Sequence, residues 1–127
     1  MFIVLEVAIR VNLPVYEGVD AEMTCILPSY EDDLLVNWWR ITTENAAQQI
    51  QENILSRRII GGEIHDQQER FSNIKSVTTD VTTVDTMSYH SLEILSPTLH
   101  DSGQYWCEAV VDGEPQVSNK VNVTVIG

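Results

Sequence analysis

Positive charge is scarce in this chain: its 127 residues hold 7 Lys and Arg against 19 Asp and Glu, a formal net charge of −12. A surface of that sign repels phosphate backbones and anionic headgroups, so neither nucleic acid nor a membrane surface is expected as a partner. Long apolar runs are missing too. Stretches such as Phe2-Ile3-Val4-Leu5 fall far short of the roughly 20 residues that cross a bilayer as a helix. Glu6 interrupts that run and no small-residue cleavage pattern follows, so no secretory leader is read there and Met1 is taken as an added start ahead of folded chain. Cysteine is limited to Cys25 and Cys107, without the C-x-x-C spacing of a zinc or redox motif. By count alone, a disulfide and two buried thiols are equally open. The histidines His65, His90 and His100 are scattered, with no pair at metal-site spacing, and the acidic residues lack the order of a calcium loop. No metal and no cofactor are expected. His100-Asp101-Ser102 contains the three residue types of a catalytic triad, but adjacent residues cannot converge with the base between nucleophile and carboxylate, so an enzyme is not expected either.

What the chain does have is alternation. Its length suits one domain over residues 1–127, and 43% hydrophobic residues suffice for a core. Apolar residues recur at every second position through Ala21, Met23, Cys25 and Leu27, again through Tyr105, Cys107, Ala109 and Val111, and in Leu92/Ile94 and Val121/Val123/Val125. That period is what a half-buried strand requires, and it points both cysteines into the core of an all-β fold. Turn signals separate the runs at Glu17-Gly18, Pro28-Ser29, Gly61-Gly62, Asp101-Ser102-Gly103 and Asp112-Gly113. Ala46 to Leu55 is ambiguous, since Ala46, Ile50 and Ile54 also suit a short amphipathic helix.

One constellation stands out. Cys25 is followed by Trp38 within Leu34-Leu35-Val36-Asn37-Trp38-Trp39-Arg40, and Cys107 closes Asp101-Ser102-Gly103-Gln104-Tyr105-Trp106-Cys107. This Cys…Trp…Cys order with a D-x-G-x-Y-x-C run resembles the immunoglobulin superfamily, and the resemblance extends over nearly the whole chain. It implies an all-β immunoglobulin V-type sandwich of two antiparallel sheets, a Cys25–Cys107 disulfide with Trp38 packed on it, and a tyrosine corner at Tyr105. A crosslink enclosing about 80 residues contributes roughly 4–5 kcal/mol in the chain-entropy model and implies an oxidising compartment. Glu69-Arg70-Phe71-Ser72 is similar to the R-F-S of variable-type domains, which implies an Arg70–Asp101 ion pair. The stretch from Trp38 to Arg70 leaves room for the extra C′ and C″ strands and tips Ala46 to Leu55 towards strand. The interval from Arg70 to Cys107 is longer than V domains usually need, and the surplus is assigned to a D–E hairpin around Thr78 to Thr86. The last strand lacks the F-G-x-G of rearranged antigen receptors. The D-S-G-x-Y-W-C form is also similar to V domains of the polymeric immunoglobulin receptor group and of variable-region-containing chitin-binding proteins.

Functional expectations follow from strand phase. With Trp38 and Cys107 inward, Trp39 and Trp106 face outward on neighbouring strands, with Leu35, Ile41 and Val110 nearby. An aromatic patch of this kind suits a protein interface, and in related V domains the same G-F-C-C′ face mediates dimers and receptor–ligand adhesion. The reading is therefore an extracellular recognition or adhesion module of a larger membrane-anchored or secreted chain, binding a protein partner that is itself or another receptor. The alternative is a secreted immune-type module that recognises a microbial or carbohydrate ligand through its loops. Those loops are placed near Tyr30-Glu31-Asp32-Asp33, Ser56-Arg57-Arg58 and Asp112-Gly113-Glu114. The outward F-strand positions offer no arginine of the kind that grips sialate in sialic-acid-binding V-set lectins. Asn122-Val123-Thr124 is an N-x-[ST] sequon with Asn122 out of phase with the buried valines, a candidate glycan acceptor.

Overall fold

A computed structural model describes residues 6–28, 33–77, 82–84 and 86–127. Among them the alternating runs become strands β1 (Ala8–Val11), β2 (Val15–Tyr16), β3 (Ala21–Pro28), β4 (Leu34–Thr42), β5 (Glu52–Ile60), β6 (Glu63–Glu69), β7 (Ile74–Ser76), β8 (Thr82–Val84), β9 (Met87–Ile94), β10 (Gly103–Val111), β11 (Glu114–Val117), β12 (Val121–Val123) and β13 (Val125–Ile126). One sheet has the order β1-β3-β9-β7, with β8 also on β9. The other has the order β11-β10-β4-β5-β6, with β12 also on β10, and β2 pairs parallel with β13.

The two sheets close over a single set of inward residues. Met23, Cys25 and Leu27 from β3 join Val36 and Trp38 from β4, Ile54 and Leu55 from β5, Leu92 and Ile94 from β9, and Tyr105 and Cys107 from β10 in one buried cluster. Cys25 and Cys107 form the disulfide across it, with Cα atoms 6.1 Å apart. Trp38 lies directly opposite Cys107 in the β4–β10 ladder and is fully buried. This is the V-type sandwich the resemblance implies, and β5 and β6 are its two additional strands. Turn chemistry sets two of the hairpins. Gly61 and Gly62 (φ 58° and 78°) join β5 to β6, and Asp112 and Gly113 (φ 51° and 77°) join β10 to β11. Positive φ at both central residues is the two-residue turn whose twist matches the flanking strands.

Several expectations need correction. Ala46–Gln48 is a 3₁₀ turn and the strand begins only at Glu52; Gln49 takes a left-handed conformation, φ 55°, which reverses the chain before β5. Ser56-Arg57-Arg58 is not a loop tip but the middle of β5, the actual turn being Gly61-Gly62. The Tyr30–Asp33 tip lies outside the described residues except for Asp33. So does much of the Thr78–Thr86 segment, of which Thr82–Val84 pairs with Met87–Tyr89.

The arginine that reaches Asp101 is also a different one. Arg40, opposite Tyr105 in the β4–β10 ladder, donates from Nη1 to Asp101 Oδ1 at 3.1 Å and from Nε to Glu52 Oε2 at 2.9 Å. Arg70 instead bonds Asn53 and, at 2.9 Å, Gln68 Oε1. The end of β6 delivers Arg70 to the outer side of the sheet, whereas its neighbour Phe71 turns in and stacks its ring 4.6 Å from the Arg40 guanidinium carbon. The tyrosine corner is present: Tyr105 Oη donates to the Asp101 carbonyl at 2.5 Å, and burial pushes the phenol pKa up to about 12.

Candidate partner-binding face

The outer side of the β11-β10-β4-β5-β6 sheet is organised in cross-strand rows. Nearest the turns lies Pro115–Val110–Leu35–Arg58–Asp66, and below it Val117–Glu108–Asn37–Ser56–Gln68. Trp106–Trp39–Asn53 forms the third row and Asn122–Gln104–Ile41 the fourth. A β-bulge between Trp38 and Trp39 shifts the β4–β5 register and tucks the extra residue, Ile54, into the core.

The rows differ in chemistry. Leu35 (36% exposed) and Val117 (54%) are open to solvent, with Val110 half-buried beside Leu35. The second row is a hydrogen-bonded strip: Asn37 Nδ2 donates to Glu108 Oε1 at 3.1 Å, and the Ser56 hydroxyl lies 2.7 Å from Asn37 Oδ1 and 3.0 Å from Asn53 Oδ1. Arg70 continues it to Gln68. At the turn end, Arg58 grips Asp33 with two bonds, Nε to Oδ1 at 3.1 Å and Nη2 to Oδ2 at 2.6 Å. The hydrogen bond from Arg58 holds the Asp33 carboxyl below its usual pKa. Asp33, Leu35, Arg58, Val110, Asp112 and Gly113 enclose a shallow concavity of about 490 Å³ there. A second one, about 370 Å³, lies at the opposite end of the face beside Ile41, Gln104 and Asn122.

The two tryptophans do meet, as direct cross-strand neighbours, yet they do not form an open pair. Trp39 is half-buried, but Trp106 is only 5% exposed and Ile41 is buried as well. Neither Trp106 nor Ile41 belongs to the inter-sheet core, so both are buried on the outer face instead. Lys120 covers Trp106, with Nζ 4.7 Å from the centre of an indole ring, a cation–π contact that also brings its aliphatic stem to the indole. The solvent-facing part of the patch is therefore Leu35, Val110, Trp39 and Val117.

Alternation along β5 also settles the direction of Arg57. Leu55, Arg57 and Ile59 share a phase, and Arg57 is accordingly fully buried, donating from Nε to Gln67 Oε1 at 3.1 Å and lying with Nη1 3.0 Å from His90 Nδ1. Burial lowers the Arg57 pKa to about 10. It also lowers that of His90 to about 3, with the Arg57 charge acting in the same sense. These groups stiffen the interior and do not open onto the face. Among the described residues no cluster of three His, Cys, Asp or Glu side chains is placed to hold a metal ion, and no helix is long and apolar enough to cross a membrane.

A family model of the immunoglobulin V-set domain matches residues 11–126. No curated protein matches the chain.

Proposed function

This chain belongs to the immunoglobulin V-set family, whose domains are generally recognition modules, typically extracellular and non-enzymatic, and on that premise we propose that it binds a protein partner through the outer face of the β11-β10-β4-β5-β6 sheet. The partner is a second copy or another receptor, and the domain works outside the cell within a larger membrane-anchored or secreted chain. The observation that carries this reading is the apolar row of half-buried Val110 and exposed Leu35, bordered by Trp39, Val117 and the Arg58–Asp33 pair. A small apolar centre with a rim of hydrogen-bonded polar groups is the usual anatomy of an interface. The perturbed groups Arg57 and His90 are sealed between the sheets and take no part in this face.

Leu35→Glu/Val110→Glu tests the reading, since both side chains already reach solvent and the substitutions leave the core intact. Sedimentation equilibrium over a wide concentration range is expected to show a dimer that this variant loses while its circular dichroism is unchanged. A dimer that persists in the variant overturns the assignment of the face. A monomer at all concentrations removes self-recognition and leaves a different protein as the partner. Retention on a polysaccharide column by both chains favours instead a microbial or carbohydrate ligand held by the loops.

A further inference from the structure

We propose that Asn122 carries an N-linked glycan which covers the lower concavity of the sheet and confines docking to the Leu35–Val110 end. This deepens the functional reading above and rests on it for the second clause. Asn122-Val123-Thr124 has the acceptor sequence, but a sequon is useful only if the folded state accepts a bulky hydrophilic group on that side chain. Strand phase on β12 provides this. Val123 is 2% exposed and points into the core, while Asn122 and Thr124 on either side of it are open to solvent. Asn122 stands opposite Gln104 in the β10–β12 ladder, and among the described residues its amide is held by one weak contact, Gln104 Nε2 to Asn122 Oδ1 at 3.4 Å.

Location gives the modification its consequence. Asn122 is part of the wall of the 370 Å³ concavity, together with Ile41, Ala46, Gln49 and Gln104. Sugars attached there lie over the fourth row of the face, which includes the buried Ile41. They also screen β12, which among the described residues pairs only with β10; a strand edge left open to other chains is an aggregation hazard. The 490 Å³ concavity at Leu35, Arg58 and Val110 lies at the other end of the same strands and stays clear. In the covalent step the Asn122 amide nitrogen bonds to C1 of the first sugar of a lipid-diphosphate-linked oligosaccharide. The C1–O bond to the diphosphate breaks, the lipid diphosphate leaves with the electron pair, and the amide gives up one proton to base.

The test is secretion of the chain from a eukaryotic cell, followed by peptide mass spectrometry before and after amidase deglycosylation. The expected result is a glycan on the peptide containing Asn122, with conversion to Asp on enzymatic release. It should be lost in Asn122→Gln and Thr124→Ala and retained in Thr124→Ser. A folded, secreted chain bearing unmodified Asn122 overturns the proposal. Hydroxyl-radical labelling then compares the glycosylated chain with Asn122→Gln. Reduced labelling of Gln49 and Ala46 with unchanged labelling of Leu35 and Val110 supports the covering role, and equal labelling throughout refutes it. Both readouts use the isolated chain, so they stand or fall separately from partner binding.

Discussion

Arg40 is nearly sealed from water, and its guanidinium is shared among the Asp101 and Glu52 carboxylates, the Tyr105 hydroxyl at 3.3 Å and the face of Phe71. Burial works against its charge, but Tyr105 and Glu52 outweigh that and hold its pKa above the ordinary arginine value. Removing it leaves Asp101 buried with an uncompensated charge, for which breaking a buried pair costs about 3–5 kcal/mol. Arg70 is exposed and bonds two neutral amides. Arg40→Met is therefore expected to lose about 3–5 kcal/mol in urea denaturation, and Arg70→Ala less than about 1 kcal/mol. The reverse ranking would restore Arg70 as the partner of Asp101. Asp101 was legible as one end of a structural ion pair, but the sequence pointed to Arg70 and not to Arg40, because which arginine closes the pair depends on the register of β4 against β10 and on where β6 ends. The fate of Trp106 was hidden in the same way, since its outward phase is local while its cover, Lys120, arrives from the irregular stretch between β11 and β12.

At the scale of the strand, the D-x-G-x-Y-x-C run is a packing device. Gly103 opens β10 against the end of β4, and a Cβ built there would lie 2.3 Å from the Ile41 carbonyl oxygen and 2.7 Å from Thr42 Cα, both backbone atoms that cannot swing aside. Gly103→Ala must push β10 from β4 where the tyrosine corner and the Arg40–Asp101 pair meet, and is expected to cost about 2–3 kcal/mol. At Gly113 the space is open and only the positive φ resists a side chain, so Gly113→Ala should cost about 1 kcal/mol. Thermal denaturation of the two variants checks the order, and equal losses would mean that β4 and β10 yield without cost. Alternation made the strands of this sheet readable, because core and solvent impose opposite demands on successive residues. It gave no guidance at Ala46–Gln48, which only the interval from Trp38 to Arg70 tipped towards strand; neither phase is buried there and the chain simply turns. It also went unused at Arg57, where a charged residue stands in a buried phase.

For the molecule as a whole, the charge of −12 makes two copies repel at a distance, so a homophilic contact through the Leu35–Val110 row would form more readily as salt screens that repulsion. Acid acts on stability by another route. Inside the sandwich Arg57 donates to His90 Nδ1, leaving Nε2–H to donate to the Ser88 hydroxyl at 3.1 Å, which donates in turn to the Leu27 carbonyl at 3.4 Å. This chain of bonds needs a neutral imidazole, in keeping with a pKa lowered to about 3 from 6.5. The unfolded chain takes up a proton as pH falls through 6.5 and the folded chain does not, so the contribution of neutral His90 is complete above pH 6.5 and is lost progressively down to about pH 3. One differential proton corresponds to about 1.4 kcal/mol per pH unit. Carboxylates titrate over the same range, so the useful quantity is a difference: His90→Gln keeps an acceptor for Arg57 and a donor for Ser88 but cannot titrate. Between roughly pH 6.5 and 4.5 the native chain should lose about 2–3 kcal/mol more than His90→Gln in urea denaturation. Parallel losses in the two chains would mean that the interior admits a proton to His90, and that the acid response of the domain belongs to its surface carboxylates alone.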